Sequence, residues 1–322
     1  MLQQTQVSTV VPYFDRFVRR FPTLKSLAAA RLDDVLRLWQ GLGYYRRAVN
    51  LHRAAIEIIE QCDGRVPNDA ARLRRLPGVG RYIAGAVLSI AFDMRSPILE
   101  ANTARVLARL FLVNGPLRAS VTQQRLWSLS QALLPQRDAG LHNQAMMELG
   151  ALVCISGQPR CEQCPVETLC EARAAGIESR LPELGRQREF VDVSDAAVIV
   201  RRNGRVLIVR RPIEGRWGGL WELPRTTVAA GADPRDAVAA HVRDRLGLEI
   251  EVGRELLTVK HGVTHHRITL SCFECVRVRG RVRLDGYAES RWETPRRLGR
   301  FAFSSPQRKL IAAIRRGLSV EG

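Results

Sequence analysis

Apolar residues recur at helical spacing through the first half of the chain, and the pattern predicts helices over residues 24–39, 48–60, 82–92, 103–112, 121–133 and 143–154. Gly and Pro punctuate the gaps, as at 64–67 and 115–116. Periodicity is lost across 176–195, where Pro182, Gly185 and a run of charges mark a linker. Beyond it the period shortens. Residues 196–200, 206–209, 268–278 and 281–284 read as strands, and one helical stretch, 234–246, interrupts them. The fold class expected is α+β multidomain: an all-α first half, then a small α+β domain on a mixed sheet. The longest nearly unbroken apolar run, 82–92, is too short for a bilayer span, which needs about 20 residues.

Length agrees with this division, since 322 residues suit two domains of roughly 100–200 residues each. With 46% hydrophobic and 25% charged residues the composition is that of a globular chain, not a disordered one. The formal charge of +18 narrows the partners to a polyanion, nucleic acid first and an anionic membrane surface second. Both halves share the basic excess. Lysine occurs only at Lys25, Lys260 and Lys309, so the cations are nearly all arginine, a bias spread over the whole chain. The opening MLQQTQV has neither the basic nor the apolar stretch of a secretory signal.

Four of the seven cysteines fall together. Cys154, Cys161, Cys164 and Cys170 read C-x6-C-x2-C-x5-C, and Pro159 and Pro165 keep the stretch out of continuous helix. Zinc ribbons usually pair two short C-x2-C knuckles. One knuckle with longer arms suits a [4Fe–4S] cluster better. Cys62 reads as packing. Cys272 and Cys275 lie three apart on an expected strand, so they point to opposite faces and are poorly placed to share a metal.

Leu76-Pro77-Gly78-Val79-Gly80 joins two expected helices. Gly78 and Gly80 permit left-handed backbone and close approach, and the helix from Arg81 turns its first N–H groups toward an anion. Alone, such a turn is equally an ordinary Pro/Gly connection. Twenty residues on, Glu100 precedes a helix in PILEANT. With the cysteine run downstream, this order resembles the helix-hairpin-helix DNA glycosylases, and within them the MutY family acting on adenine opposite 8-oxoguanine. The segments MLQQTQV, LWQGLGYYRRAVNLH, LPGVGRYIAGAVLSIAF, NQAMMELGALVC and RWGGLWELPR carry the resemblance over almost the whole chain.

The resemblance implies a glycosylase domain with an iron–sulfur lobe at 1–178, a linker at 179–194 and a Nudix-like domain at 195–322. It also implies a monofunctional DNA N-glycosylase of base excision repair. Such an enzyme flips adenine out of the duplex and hydrolyses its N-glycosidic bond opposite 8-oxoguanine or guanine. Glu100 stands where the family has an ion-stabilising aspartate, one methylene shorter; the other reading is a helix N-terminal acid favoured by the dipole. Asn102 matches an asparagine near the sugar and phosphate. Tyr82 occupies the position where bifunctional relatives carry a Schiff-base lysine. Gln4 and Tyr44 match residues that wedge beside the mispair, and Leu42 lies with them as a DNA-binding position, with core packing the alternative for Tyr44 and Tyr45. Gln144 matches an adenine contact, or else faces solvent. Arg160 and Arg173 flank the cysteines and suit phosphates. The family's general-acid glutamate falls two residues before Met1. The alternative function expected is therefore a lesion-binding protein with impaired catalysis.

In the second half, the helix AAHVRDRLGLEI keeps the glycine of the Nudix pattern but only one of its carboxylates, Asp244. Hard divalent ions need several oxygen ligands, so pyrophosphatase activity is disfavoured. The family's lesion-reading F-S-H loop aligns with Val263-Thr264-His265, and a metal site at His261, His265 and His266 is disfavoured for want of accompanying ligands. The partner expected is duplex DNA bearing A:8-oxoG or A:G mispairs, bound by a monomer in a bacterial-type cytoplasm, with no membrane.

Overall fold

The computed structural model describes residues 1–183, 189–263 and 265–317. In chain order the helices are α1 (Val7–Arg20), α2 (Leu24–Ala28), α3 (Leu32–Trp39), α4 (Arg46–Gln61), α5 (Ala70–Arg75), α6 (Arg81–Phe92), α7 (Ala101–Leu110), α8 (Ser120–Ala132), α9 (Ala139–Leu152) and α10 (Glu171–Ala174). Strands follow: β1 (Val191–Ile199), β2 (Arg201–Arg202), β3 (Arg205–Arg210), β4 (Trp221–Glu222) and β5 (Arg225–Thr227). Then come α11 (Pro234–Leu246), β6 (Leu248–Val263), β7 (His266–Gly280), β8 (Glu289–Glu293) and α12 (Ser305–Arg315).

Two units result, and the chain does not divide them in simple sequence order. One holds Met1–Ile59 together with Arg188–Gly322; the other holds Glu60–Gln187. In the first, Val35, Leu36 and Trp39 of α3 share a core with Leu220 and Ala302 from the second half. Arg210 pairs with Asp33 at 3.2 Å across the same junction.

The sheet of this unit runs β5-β1-β7-β6, with β1 parallel to β7 and the other pairs antiparallel. Alternation along β1 explains its two buried faces. Ala197 and Ile199 join a core that includes Leu310 and Ile311 of α12, while Ala196 and Val198 join one that includes Val238 and Val242 of α11. Cys272 enters the first core and Cys275 the second, as their spacing on a strand requires. A second sheet orders β2-β3-β4, with β8 on β3.

Several expectations need correction. Residues 24–39 form two helices rather than one: α2, begun by a capping box of Thr23 and Ser26, ends at Ala28, and α3 begins anew at Leu32. Residues 281–284 are not strand: β7 ends at Gly280, and the partner of β3 is β8. The stretch 176–195 is not linker throughout, since β1 begins at Val191. No helix among the described residues is long and apolar enough to cross a membrane.

Candidate functional site

In the unit Glu60–Gln187, close helix contact depends on glycine. A Cβ on Gly85 of α6 would lie 2.2 Å from the Pro97 carbonyl oxygen, and one on Gly150 of α9 would lie 2.7 Å from Asn102 Cβ. These contacts bring α9 against the start of α7, the place of both Glu100 and Asn102.

Glu100 is the N-cap of α7. Its Oε1 accepts from Thr103 N at 2.8 Å, and its own N–H donates to Thr103 Oγ1 at 2.9 Å. The carboxylate is thus fixed by the helix it begins, in the reciprocal arrangement of a capping box. Tyr82, in the first turn of α6, lies within electrostatic reach of it. Burial pushes the Tyr82 phenol up, and the charge of Glu100 pushes it further, so Tyr82 keeps its proton. The Tyr82 hydroxyl lies 3.5 Å from Met147 Sδ. Upstream, Asp69 caps α5 through Arg72 N, and the hairpin turns at Gly78 with φ +77°. Nothing lies within 4 Å of a Cβ built on Gly80, which leaves its backbone open to an approaching group.

Arg105 is a site residue that sequence reasoning missed. Its Nη2 donates to Asn102 Oδ1 at 2.9 Å and to Gly150 O at 2.6 Å, while Nε donates to the Cys154 carbonyl at 2.7 Å. One guanidinium thus orients the Asn102 amide and holds the first cysteine's backbone. Gln144 is exposed on α9, its amide donating to Gly140 O of the same helix. Its neighbour Asn143 is buried and ties Ser89 to Ser96.

Cys154, Cys161, Cys164 and Cys170 line one cavity with Arg109 and Glu178. Among the described residues, no three His, Cys, Asp or Glu converge as ligands of a single ion would. A cubane takes one thiolate per iron, so its ligands ring a hollow instead of meeting at a point; four cysteines around one cavity fit that group better than a lone zinc. Burial pushes the Cys161 and Cys164 thiols up, so a metal centre would form with release of their protons. Arg173 is engaged by two carboxylates, Glu167 at 3.0 Å and Glu178 at 3.1 Å, while Arg160 is exposed.

The other expected contacts lie in the unit that joins both chain ends. Tyr44 is 53% exposed with φ +45°, and Gln4 also has a left-handed φ of +56°. Left-handed backbone is uncommon for such residues and costs energy, so something must hold it. Arg47 does so. It donates to the Gln3 carbonyl, to Thr5 Oγ1 at 3.0 Å and to Leu42 O at 3.3 Å, and its guanidinium lies 5.5 Å from the centre of the Tyr44 ring. Leu42 differs from its neighbours: it is 5% exposed and belongs to the core, so it supports the loop from beneath. Tyr45 is core too, its hydroxyl 3.4 Å from the Phe303 carbonyl oxygen.

Val263 pairs with His266 across the β6–β7 turn, and the His265 and His266 rings lie 4.1 Å apart, tilted by 40°. Thr264 lies outside the described residues. On α11, His241 hydrogen-bonds Tyr287 at 2.8 Å and Arg245 pairs with Asp285 at 2.9 Å. Burial and the nearby arginines lower the His241 pKa to about 4. Beside it, Glu222 is bound by Arg211 and Arg225, and Arg225 also reaches Asp195.

Comparison with known proteins agrees with this layout. Residues 1–132 match the HhH-GPD superfamily of base excision DNA repair proteins, and residues 195–313 match the NUDIX domain. The human adenine DNA glycosylase is 37% identical over 273 residues, covering 70% of this chain and 50% of the human one. The adenine DNA glycosylase of Buchnera aphidicola subsp. Acyrthosiphon pisum is 34% identical over 225 residues, covering 70% of this chain and 64% of its own. A thermostable thymine-DNA glycosylase structure is 26% identical with a TM-score of 0.49, covering 54% of this chain and 80% of that one. The chain spans about half to two thirds of the length of the first of these curated relatives. With a helical HhH-GPD segment followed by a NUDIX segment, and with relatives of that kind, the chain belongs to the MutY-type glycosylase family.

Proposed function

We propose that this protein is an adenine DNA glycosylase of base excision repair. It takes adenine opposite 8-oxoguanine or guanine from duplex DNA in a bacterial-type cytoplasm, and water is the acceptor. One observation carries the reading: Glu100 sits at the head of α7 within electrostatic reach of Tyr82, which stands where a Schiff-base enzyme would need an amine. No lysine occurs between Lys25 and Lys260.

Each residue then has a task. The flipped nucleotide enters beside Glu100, whose Oε1 is fixed by Thr103. The remaining carboxylate charge opposes the cation that develops on the sugar as the base leaves. Asn102 accepts from Arg105, which leaves its amide N–H groups to donate toward the sugar and phosphate. Tyr82 remains a neutral donor. Gln144 reads the adenine edge. Gly78 and Gly80 admit a phosphate to the start of α6, and Gln4 and Tyr44 fill the stack beside the mispair. Val263, Thr264 and His265 read the opposite base. Cys154, Cys161, Cys164 and Cys170 would hold a [4Fe–4S] cluster, which, when bound, supplies a rigid core to the loop rather than redox catalysis.

The capping box favours a second reading, in which Glu100 only starts a helix and the chain binds the mispair without cutting it. Single-turnover assays with an A:8-oxoG duplex decide between them. Adenine release that Glu100→Gln abolishes while binding persists supports the enzyme, and release with no borohydride-trapped adduct supports water as its acceptor. Binding without release, equal in the parent and Glu100→Gln, supports the binder.

A further inference from the structure

Arg109 lies one turn beyond Arg105 on α7 and is 2% exposed. Acceptors from the cysteine-bearing segment surround its guanidinium. Nη1 donates to Ile155 O at 2.8 Å and stands 3.3 Å from Cys154 Sγ. Nε donates to Leu181 O at 2.8 Å, and Nη2 reaches Gly157 O at 3.4 Å. The carbonyl oxygen of Arg109 itself lies 3.5 Å from Cys170 Sγ.

These carbonyls satisfy hydrogen bonds but carry no net charge. No carboxylate among the described residues pairs with Arg109. The acids of the same cavity, Glu167 and Glu178, pair with Arg173 instead of Arg109. A guanidinium does not shed its proton in a protein, and a buried charge demands a counter-charge. The group nearest the guanidinium that can become anionic is Cys154 Sγ, and the other three cysteines line the same cavity. Once all four are thiolates around iron and sulfide, the assembled centre is net anionic.

We propose that Arg109 is the internal counter-ion of the iron–sulfur centre, and that it raises the centre's reduction potential and so protects it from oxidative loss. The inference rests on the reading of the four cysteines as ligands of such a centre. The sign follows from electrostatics. A cation at contact favours whichever state carries more negative charge, which is the reduced one. Neighbouring cations do not duplicate the role. Arg105 addresses the Cys154 carbonyl, Arg173 is engaged by two carboxylates, and Arg160 is exposed to water.

The test compares Arg109→Lys, Arg109→Gln and Arg109→Met in the full chain, purified with its native metal. Redox titration is followed by visible absorbance, and iron content is measured per chain. In a second assay ferricyanide takes one electron and becomes ferrocyanide while bleaching is timed. Removal of the charge in the Gln and Met variants shifts the redox equilibrium about tenfold toward the oxidised state, ~59 mV for one electron, and speeds bleaching. The Lys variant stays near the parent. A Met variant with the parent's potential overturns the proposal, and so does a Lys variant as impaired as Met, because fork geometry rather than charge would then be at work. If the Gln and Met variants retain no iron, retention by Lys supports the proposal and loss from all three overturns it. A parent protein holding zinc or no metal overturns the cofactor reading itself, and that result is visible before any variant is compared.

Discussion

Arg105 and Asn102 share a 2.9 Å hydrogen bond in which the guanidinium donates to the amide oxygen, and the same guanidinium holds the carbonyl of Cys154 at 2.7 Å. The amide orientation at the head of α7 is therefore tied to the segment that bears the cysteines. Arg105→Lys keeps a charge but loses the planar fork. Single-turnover adenine release is expected to fall roughly 10–100-fold, the usual effect of losing a supporting hydrogen-bond partner, while duplex affinity holds. Equal release by parent and variant would show that the amide orients itself.

Gly150 and Gly80 make opposite predictions from the same substitution. Gly150→Ala places a methyl 2.7 Å from Asn102 Cβ and 2.9 Å from its backbone, so α9 must move off α7. The cost expected is about 1–3 kcal/mol in thermal or denaturant unfolding. Gly80 has φ −86° and open space around it, so Gly80→Ala leaves stability within about 0.5 kcal/mol. Its effect is instead on DNA affinity, because the added methyl stands where a phosphate approaches the backbone.

Arg47→Met releases both left-handed positions, Gln4 and Tyr44, and leaves Tyr45 and Leu42 in the core. Affinity for a mispaired duplex, read by fluorescence anisotropy, is expected to drop about tenfold, ~1.4 kcal/mol. Affinity for a fully paired duplex changes little, since no wedge is needed there. A uniform loss on both duplexes would point to general phosphate binding by Arg47.

His241 predicts an acid limit on the stability of its unit. Its pKa is about 4 in the folded chain against about 6.5 unfolded. A depressed histidine makes no demand above the unfolded value, and stability is then lost as pH falls from about 6.5 through about 4. Asp244 opposes the shift and Arg211, Arg225 and Arg245 reinforce it. Denaturant midpoints of the parent should fall across that window. In His241→Gln, which keeps a donor toward Tyr287, the slope contributed by this residue disappears.

How much of this was legible in the sequence depends on the residue type. The helix at 234–246 was readable to the residue because its signals are local: Asp233 caps it through Arg235 N, and Gly247 ends it with φ +64°. Glu100 and the four cysteines were also legible, through spacing. The chain hid α1, whose Pro12 breaks the usual pattern, and the long β6, whose pairing with β7 shifts register near Gly253. It hid Arg47, Arg105 and Arg109 most thoroughly. Among so many arginines, nothing local marks the three whose hydrogen bonds organise the loops. Tyr44 and Tyr45 are adjacent and alike in sequence, yet one faces solvent and the other supports the core, a choice made by the turn at Gly43 and by Phe303 far along the chain.

The sharing of a core between α3 and residues near Leu220 and Ala302 sets an order for biosynthesis. The first helices leave the ribosome long before Leu220 and Ala302 exist, whereas Glu60–Gln187 is a compact unit continuous in sequence and can finish early. Val35, Leu36 and Trp39 then lack the Leu220 and Ala302 side of their core while about 180 to 260 further residues are translated, at ~5–20 residues per second. That interval makes the nascent chain a client for chaperones, and makes slow synthesis a hazard for the very segment that carries Gln4 and Tyr44.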